Sequence, residues 1–201
     1  MHLKPFYSRF GFVIFLLFGF AEALFSKQTL PEYGKVPDFS LTDQNGDKIT
    51  LSDLEDGVWI ANFMFTRCQN FCPMLSARMA DLQLRLERFQ IKLISFSVDP
   101  EYDTPHVLAA YASKYGARTG RWLFLTGNKS DVWNLITDGF SLGVGEASAE
   151  DLAQGAEPVM HTNRFVLVDR SGTIRGYYDT SDSATLEKLV QDASELSQGA
   201  E

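Results

Sequence analysis

A chain of 201 residues with 18 Lys and Arg against 26 Asp and Glu, a formal net charge of -8, offers no basic surface for following a phosphate backbone, so nucleic acid is excluded as a partner class. With 45% hydrophobic and 22% charged residues the composition is that of a folded globular protein, not of a disordered or collagen-like chain. The length suits one domain with a sizeable core.

Residues 1–25 read as a signal peptide or an N-terminal membrane anchor. His2, Lys4 and Arg9 precede an unbroken apolar run from Phe10 to Ala21, the pattern of an export segment. Ala21-Glu22-Ala23 fits a small-x-small cleavage site, and the run falls short of the roughly 20 residues that span a bilayer. An uncleaved anchor from Phe10 to Phe25 is the alternative. Either reading places the rest of the chain at the periplasmic or extracytoplasmic face of a membrane. Residues 26–35, polar and holding Pro31 and Gly34, read as a tether, followed by a domain over 36–196 and a tail at 197–201.

Within the domain, Phe39-Ser40-Leu41 and Lys48-Ile49-Thr50 flank an Asn45-Gly46 turn, which predicts a hairpin. Val58 to Phe65 is nearly all apolar and short, as suits a strand buried on both faces. Leu75, Met79, Leu82 and Leu86 then recur at helical spacing, predicting a helix from Pro73 to about Phe89. Ile91 to Val98 is a second interior strand, parallel to the first because a helix connects them. Thr104-Pro105 caps a helix through Tyr115, Trp122 to Leu125 is a short strand, and Lys129 to Phe140 is the next helix. Ser141 to Val159, rich in Gly, Ala and Glu, reads as an irregular insertion or mobile loop. Arg164–Val168 and Thr173–Tyr178 form a hairpin around Asp169-Arg170-Ser171-Gly172, and Ser183 to Leu196 is a closing helix. This order predicts an α/β, thioredoxin-like fold with an N-terminal β-hairpin and an inserted loop before the last hairpin.

Both cysteines, Cys68 and Cys72, fall at the carboxyl end of the first interior strand, where open α/β sheets bind ligands. Pro73 places Cys72 at or next to a helix N-cap, where unpaired N–H groups and the helix dipole favour a thiolate, and Arg67 is expected to add to this. Three readings compete. A structural disulfide would close too small a loop to remove much chain entropy. A redox dithiol usually has two intervening residues, whereas here there are three. A soft metal site suits Cu(I) if a third soft or borderline ligand arrives, and this reading is preferred. His161 is the candidate third ligand, because in this topology the loop entering the penultimate strand runs beside the cysteine-bearing helix. His2 lies in the export segment and His106 on a helix where a solvated role is expected. Zinc would need a fourth ligand, with Asp99 or Asp103 the nearby candidates. Those two carboxylates are expected either as turn and cap residues or as groups orienting His161 or Arg67, or sitting axially on oxidised copper.

Phe65-Thr66-x-Cys68-x-x-x-Cys72-Pro73, Ser97-Val98-Asp99-Pro100-x-x-Asp103-Thr104-Pro105 and His161-Thr162-x-x-Phe165-x-Leu167-Val168-Asp169-x-x-Gly172 together resemble the Sco/SenC family of copper chaperones, over Val36 to about Leu196. The resemblance implies one copper ion, Cu(I) or Cu(II), held by Cys68, Cys72 and His161, with Asp99 and Asp103 as the acidic motif. It implies a monomer, tethered at a membrane, that delivers copper to the binuclear site of cytochrome c oxidase. The partner would be the copper-bearing subunit of that oxidase or another copper chaperone. The alternative is a thiol-disulfide oxidoreductase, with Cys68 and Cys72 as its redox pair, that keeps the oxidase's ligand cysteines reduced. Many members have Pro directly after the first cysteine, whereas this chain has Gln69, and Met160 stands beside His161 as a possible auxiliary soft ligand.

Overall fold

The computed structural model describes residues 29–199; the expected export segment, 1–25, lies outside them. Among the described residues no helix is long and apolar enough to cross a membrane.

The hairpin forms as β1 (Ser40–Thr42) and β2 (Lys48–Thr50), paired antiparallel. Its turn is set by Asp43, whose carboxylate accepts from the N–H groups of Asn45 at 2.7 Å and Asp47 at 2.9 Å. Gly46 takes φ +89°, a left-handed conformation that costs a glycine little. The two strands form a sheet of their own, and Thr42 bridges to Thr126 beside the main sheet.

The main sheet begins with β3 (Trp59–Met64), every residue of which is buried, as its uninterrupted apolar run requires. Helix α1 (Cys72–Arg85) turns Leu75, Met79 and Leu82 inward. It ends earlier than the apolar period suggests, because its last turn tightens over Glu87–Phe89 and Gln90 reverses the chain at φ +57°. Strand β4 (Lys92–Ser97) then lies parallel to β3. Thr104 caps α2 (Pro105–Lys114) by accepting from the Val107 N–H at 3.4 Å, and β5 (Trp122–Leu125) adds a third parallel strand. Register is pinned by a buried polar chain: Trp122 Nε1 donates to Ser95 Oγ at 2.8 Å, which donates to Asn62 Oδ1 at 2.5 Å. Trp59, Phe63, Phe96 and Phe140 interlock at centroid distances of 5.1–6.2 Å, each large side chain contributing about 2–3 kcal/mol by leaving water.

Helix α3 (Lys129–Asn134) is shorter than predicted and continues as a wide turn over Leu135–Gly139. The expected loop at 141–159 carries more structure than its composition suggests. A two-residue strand, β6 (Gly145–Glu146), pairs with β7 (Val159–Met160), and between them stands α4 (Ala149–Ala153). Ser148 and Asp151 cap α4 reciprocally, each side chain bonding the other's backbone N–H. Elements this short leave no period to read. Strands β8 (Arg164–Val168) and β9 (Ile174–Asp179) complete the sheet antiparallel, giving the order β5-β4-β3-β8-β9. Helix α5 (Ser183–Gln198), capped by Asp182, buries Leu189 and Ala193. Together these elements make the thioredoxin-like α/β architecture expected of the sequence.

The stretch read as a tether is fastened to the domain over its described part. Tyr33 N–H donates to the Ile174 carbonyl at 2.9 Å, Ile174 N–H to the Gly34 carbonyl at 2.8 Å, and the Arg175 guanidinium donates to the carbonyls of Leu30 and Pro31.

Candidate metal centre

Strand β3, at the centre of the sheet, delivers the chain to the carboxyl-end rim at Met64, and residues 65–71 loop from there to the start of α1. Cys72 is the first helical residue and Pro73 the second, while Phe71 takes the cap position with no side chain to offer the open N–H groups. The acceptor comes instead from Cys68, whose Sγ receives the Cys72 N–H at 3.3 Å. Contrary to the sequence reading, the helix terminus therefore serves Cys68 and not Cys72. The Cys72 thiol donates toward the Cys68 sulfur, and the N–H groups of Cys72 and Asn70 add to it. This holds Cys68 well below the ordinary thiol range against the opposing effect of burial. Cys72, wholly buried and already donating to a thiolate, is pushed far up. Both cysteines are free.

His161 follows β7 and reaches the pair from the other side of the site. Its Nε2 lies 3.3 Å from Cys72 Sγ. Its Nδ1 lies 2.9 Å from the Thr162 carbonyl, which can only accept, so the ring proton belongs on Nδ1 and the Nε2 lone pair points to the sulfurs. The Phe65 ring meets the imidazole edge to face at 5.7 Å and fixes its plane. The donor atoms of Cys68, Cys72 and His161 all lie within 4.8 Å of one another. Two sulfurs and one imidazole nitrogen suit a soft ion of low coordination number, Cu(I) foremost. A structural zinc site lacks its fourth ligand, since no carboxylate joins the cluster among the described residues.

Asp99 and Asp103 belong to the site's support, and among the described residues the donor group is Cys68, Cys72 and His161 without either of them. Asp103 is fully buried and accepts from the Thr66 N–H at 3.1 Å, the Thr66 hydroxyl and Ser97 Oγ at 2.6 Å, while burial raises its carboxyl above the usual range. Asp99 accepts from Arg67 Nε at 3.0 Å and Nη2 at 2.5 Å, and the guanidinium lies 4.3 Å over the Tyr102 ring. Arg67 therefore directs its charge to Asp99, where the sequence reading had it favour a thiolate. All three residues brace the start of the cysteine loop. Met160 is exposed beside His161, and His106 is exposed on α2.

One residue of the site escaped the sequence. Glu157 Oε1 accepts from the Gln69 N–H at 3.0 Å and from Asn70 Nδ2 at 2.8 Å. A single carboxylate in a segment without periodicity carries no signal of such a role.

A family model described as SCO1/SenC matches residues 27–197. The SCO1 protein homolog of Bacillus subtilis (strain 168) is 32% identical over 166 residues, covering 81% of this chain and 83% of its own. A Stutzerimonas stutzeri protein named for copper binding is 33% identical over 151 residues, 74% of this chain and 71% of that one. The solved structure of BsSco, described as a member of the Sco family of cytochrome c oxidase assembly proteins, aligns with a TM-score of 0.71 at 29% identity, over 85% of this chain and 98% of that one.

Proposed function

Because the chain belongs to the SCO1/SenC family, we propose that it carries copper outside the cytoplasm and delivers it during assembly of the binuclear copper site of cytochrome c oxidase. The observation that carries this reading is the convergence of Cys68 Sγ, Cys72 Sγ and His161 Nε2 within 4.8 Å. Copper is the cargo and these three atoms hold it. A thiolate already formed at Cys68 binds Cu(I) without first losing a proton, and Cys72 gives up its own as the ion arrives. The low coordination number leaves room for an acceptor's thiolate to join before a resident ligand departs, so the ion passes over without ever being free. The partner is the copper-bearing oxidase subunit or another copper chaperone, and the export pattern of residues 1–25 supports a periplasmic or extracytoplasmic location. Fractionation of cells expressing the full chain checks the location, and recovery in the cytoplasm would refute it.

Anaerobic titration of the reduced protein with Cu(I) tests the cargo. One ion per chain is expected, with retention lost in Cys68→Ser and Cys72→Ser. In His161→Ala binding weakens, more for Cu(II), the harder ion, than for Cu(I). An unchanged His161→Ala affinity would remove the imidazole from the ligand set.

The pairing of a Cys68 thiolate with a buried Cys72 thiol favours a second reading, thiol-disulfide exchange. Cys68 would attack an acceptor's disulfide, expel one of its sulfurs as thiolate, and be released when Cys72 closes the intramolecular bond. Stoichiometric copper retention with negligible insulin reduction decides for the carrier, and the reverse result for the reductase.

A further inference from the structure

Glu157 donates nothing to the ion, yet it joins the two loops that supply the ligands. Its donors, Gln69 and Asn70, lie between the two cysteines, and Glu157 itself lies four residues before His161. The loops also meet at His161, whose ring touches Cys72 Sγ and packs edge to face on Phe65, but around Glu157 itself the packing is thin. Residues 148–156 are exposed throughout, α4 buries no side chain, and Gln69, Asn70 and Phe71 are exposed on the facing loop. Two thinly packed segments do not keep a fixed separation by van der Waals contact, so a directional bond must set it. A carboxylate receiving two N–H groups at one oxygen is such a bond, strengthened by its charge.

We propose that Glu157 is a positioning residue for copper, a latch that holds the His161 loop on the cysteine loop so that the three donors stand assembled before the ion arrives. The proposal rests on the copper-carrying reading above. Ligands held in place beforehand lose less freedom on binding, and the ion they hold leaves more slowly. Gln69 takes part in the latch through its backbone N–H, which a proline at that position would lack.

The test uses Glu157→Ala, Glu157→Gln, Asn70→Ala and the Glu157→Ala/Asn70→Ala double variant, with fold checked by circular dichroism. In the copper-free protein, Glu157→Ala should speed hydrogen exchange at Gln69 and across residues 145–160. With Cu(I), competition against a chelator should show affinity lower by about tenfold, most of it in faster release. Glu157→Gln keeps an acceptor oxygen and should recover part of the loss, and the double variant should fall short of additivity. Unchanged exchange together with unchanged release in Glu157→Ala would overturn the latch. Failure of the wild-type chain to bind copper would instead defeat the carrier reading, leaving the contact between the loops to be judged by exchange in the copper-free protein.

Discussion

At the scale of single residues, the site works by giving two chemically identical thiols different surroundings. Cys68 receives the N–H of the first helical residue and the proton of its neighbour, while Cys72 is sealed in the core with only its edge toward His161. Alkylation of Cys68 in the reduced protein should therefore be nearly flat between about pH 5 and pH 8, since the thiolate is already formed. A rate climbing tenfold per pH unit would show an ordinary thiol. Cys72→Ala removes the largest stabiliser of that thiolate, so its alkylation should regain a pH dependence. The same depression makes a stability prediction. Its contribution is complete above the unfolded thiol's pKa, about 8.5, and is lost as pH falls toward the folded value. The urea midpoint of the reduced chain should accordingly gain on that of Cys68→Ser as pH rises through this window. Asp103 acts differently, as a brace. Replacing it with Ala strands the Ser97 hydroxyl and the Thr66 N–H and hydroxyl, and should cost about 2–4 kcal/mol in urea unfolding.

At the scale of elements, one helix both packs the core and shapes the site. Leu75, Met79 and Leu82 fix α1 against the sheet, and the same rigid body carries Cys72 at its first residue. Met79→Ala should lose about 2–4 kcal/mol of stability by leaving a cavity under the helix, seen as a lower urea midpoint. Elements with a period were legible in the sequence: β3 and β4 from unbroken apolar runs, α1 from spacings of three and four, α2 from Thr104-Pro105. Their ends were less so. The tightening at Glu87–Phe89 and the wide turn at Leu135–Gly139 follow from how each helix meets its neighbours. The segment 141–159 is largely irregular, as expected, and the short elements inside it leave no trace in the sequence because strands of two residues and a helix of five are set by pairing and by one capping box.

At the scale of the whole molecule, the site exists only because the sheet folds three distant segments onto one rim. Binding to the native state alone makes copper a stabiliser by mass action. Free Cu(I) at a hundred times Kd should add about 2.7 kcal/mol, read as a higher Tm that is absent in Cys68→Ser. The sequence by itself determined the fold class and named Cys68, Cys72, His161, Asp99, Asp103 and Arg67, because apolar periodicity, capping and ligand chemistry are local properties of residue order. Only the tertiary structure decided which sulfur receives the helix N–H, that the two aspartates support the cysteine loop instead of the histidine, and that Glu157 reaches across to Gln69 and Asn70. Those outcomes depend on distances between residues tens of positions apart, which are set when the core closes and leave no pattern along the chain.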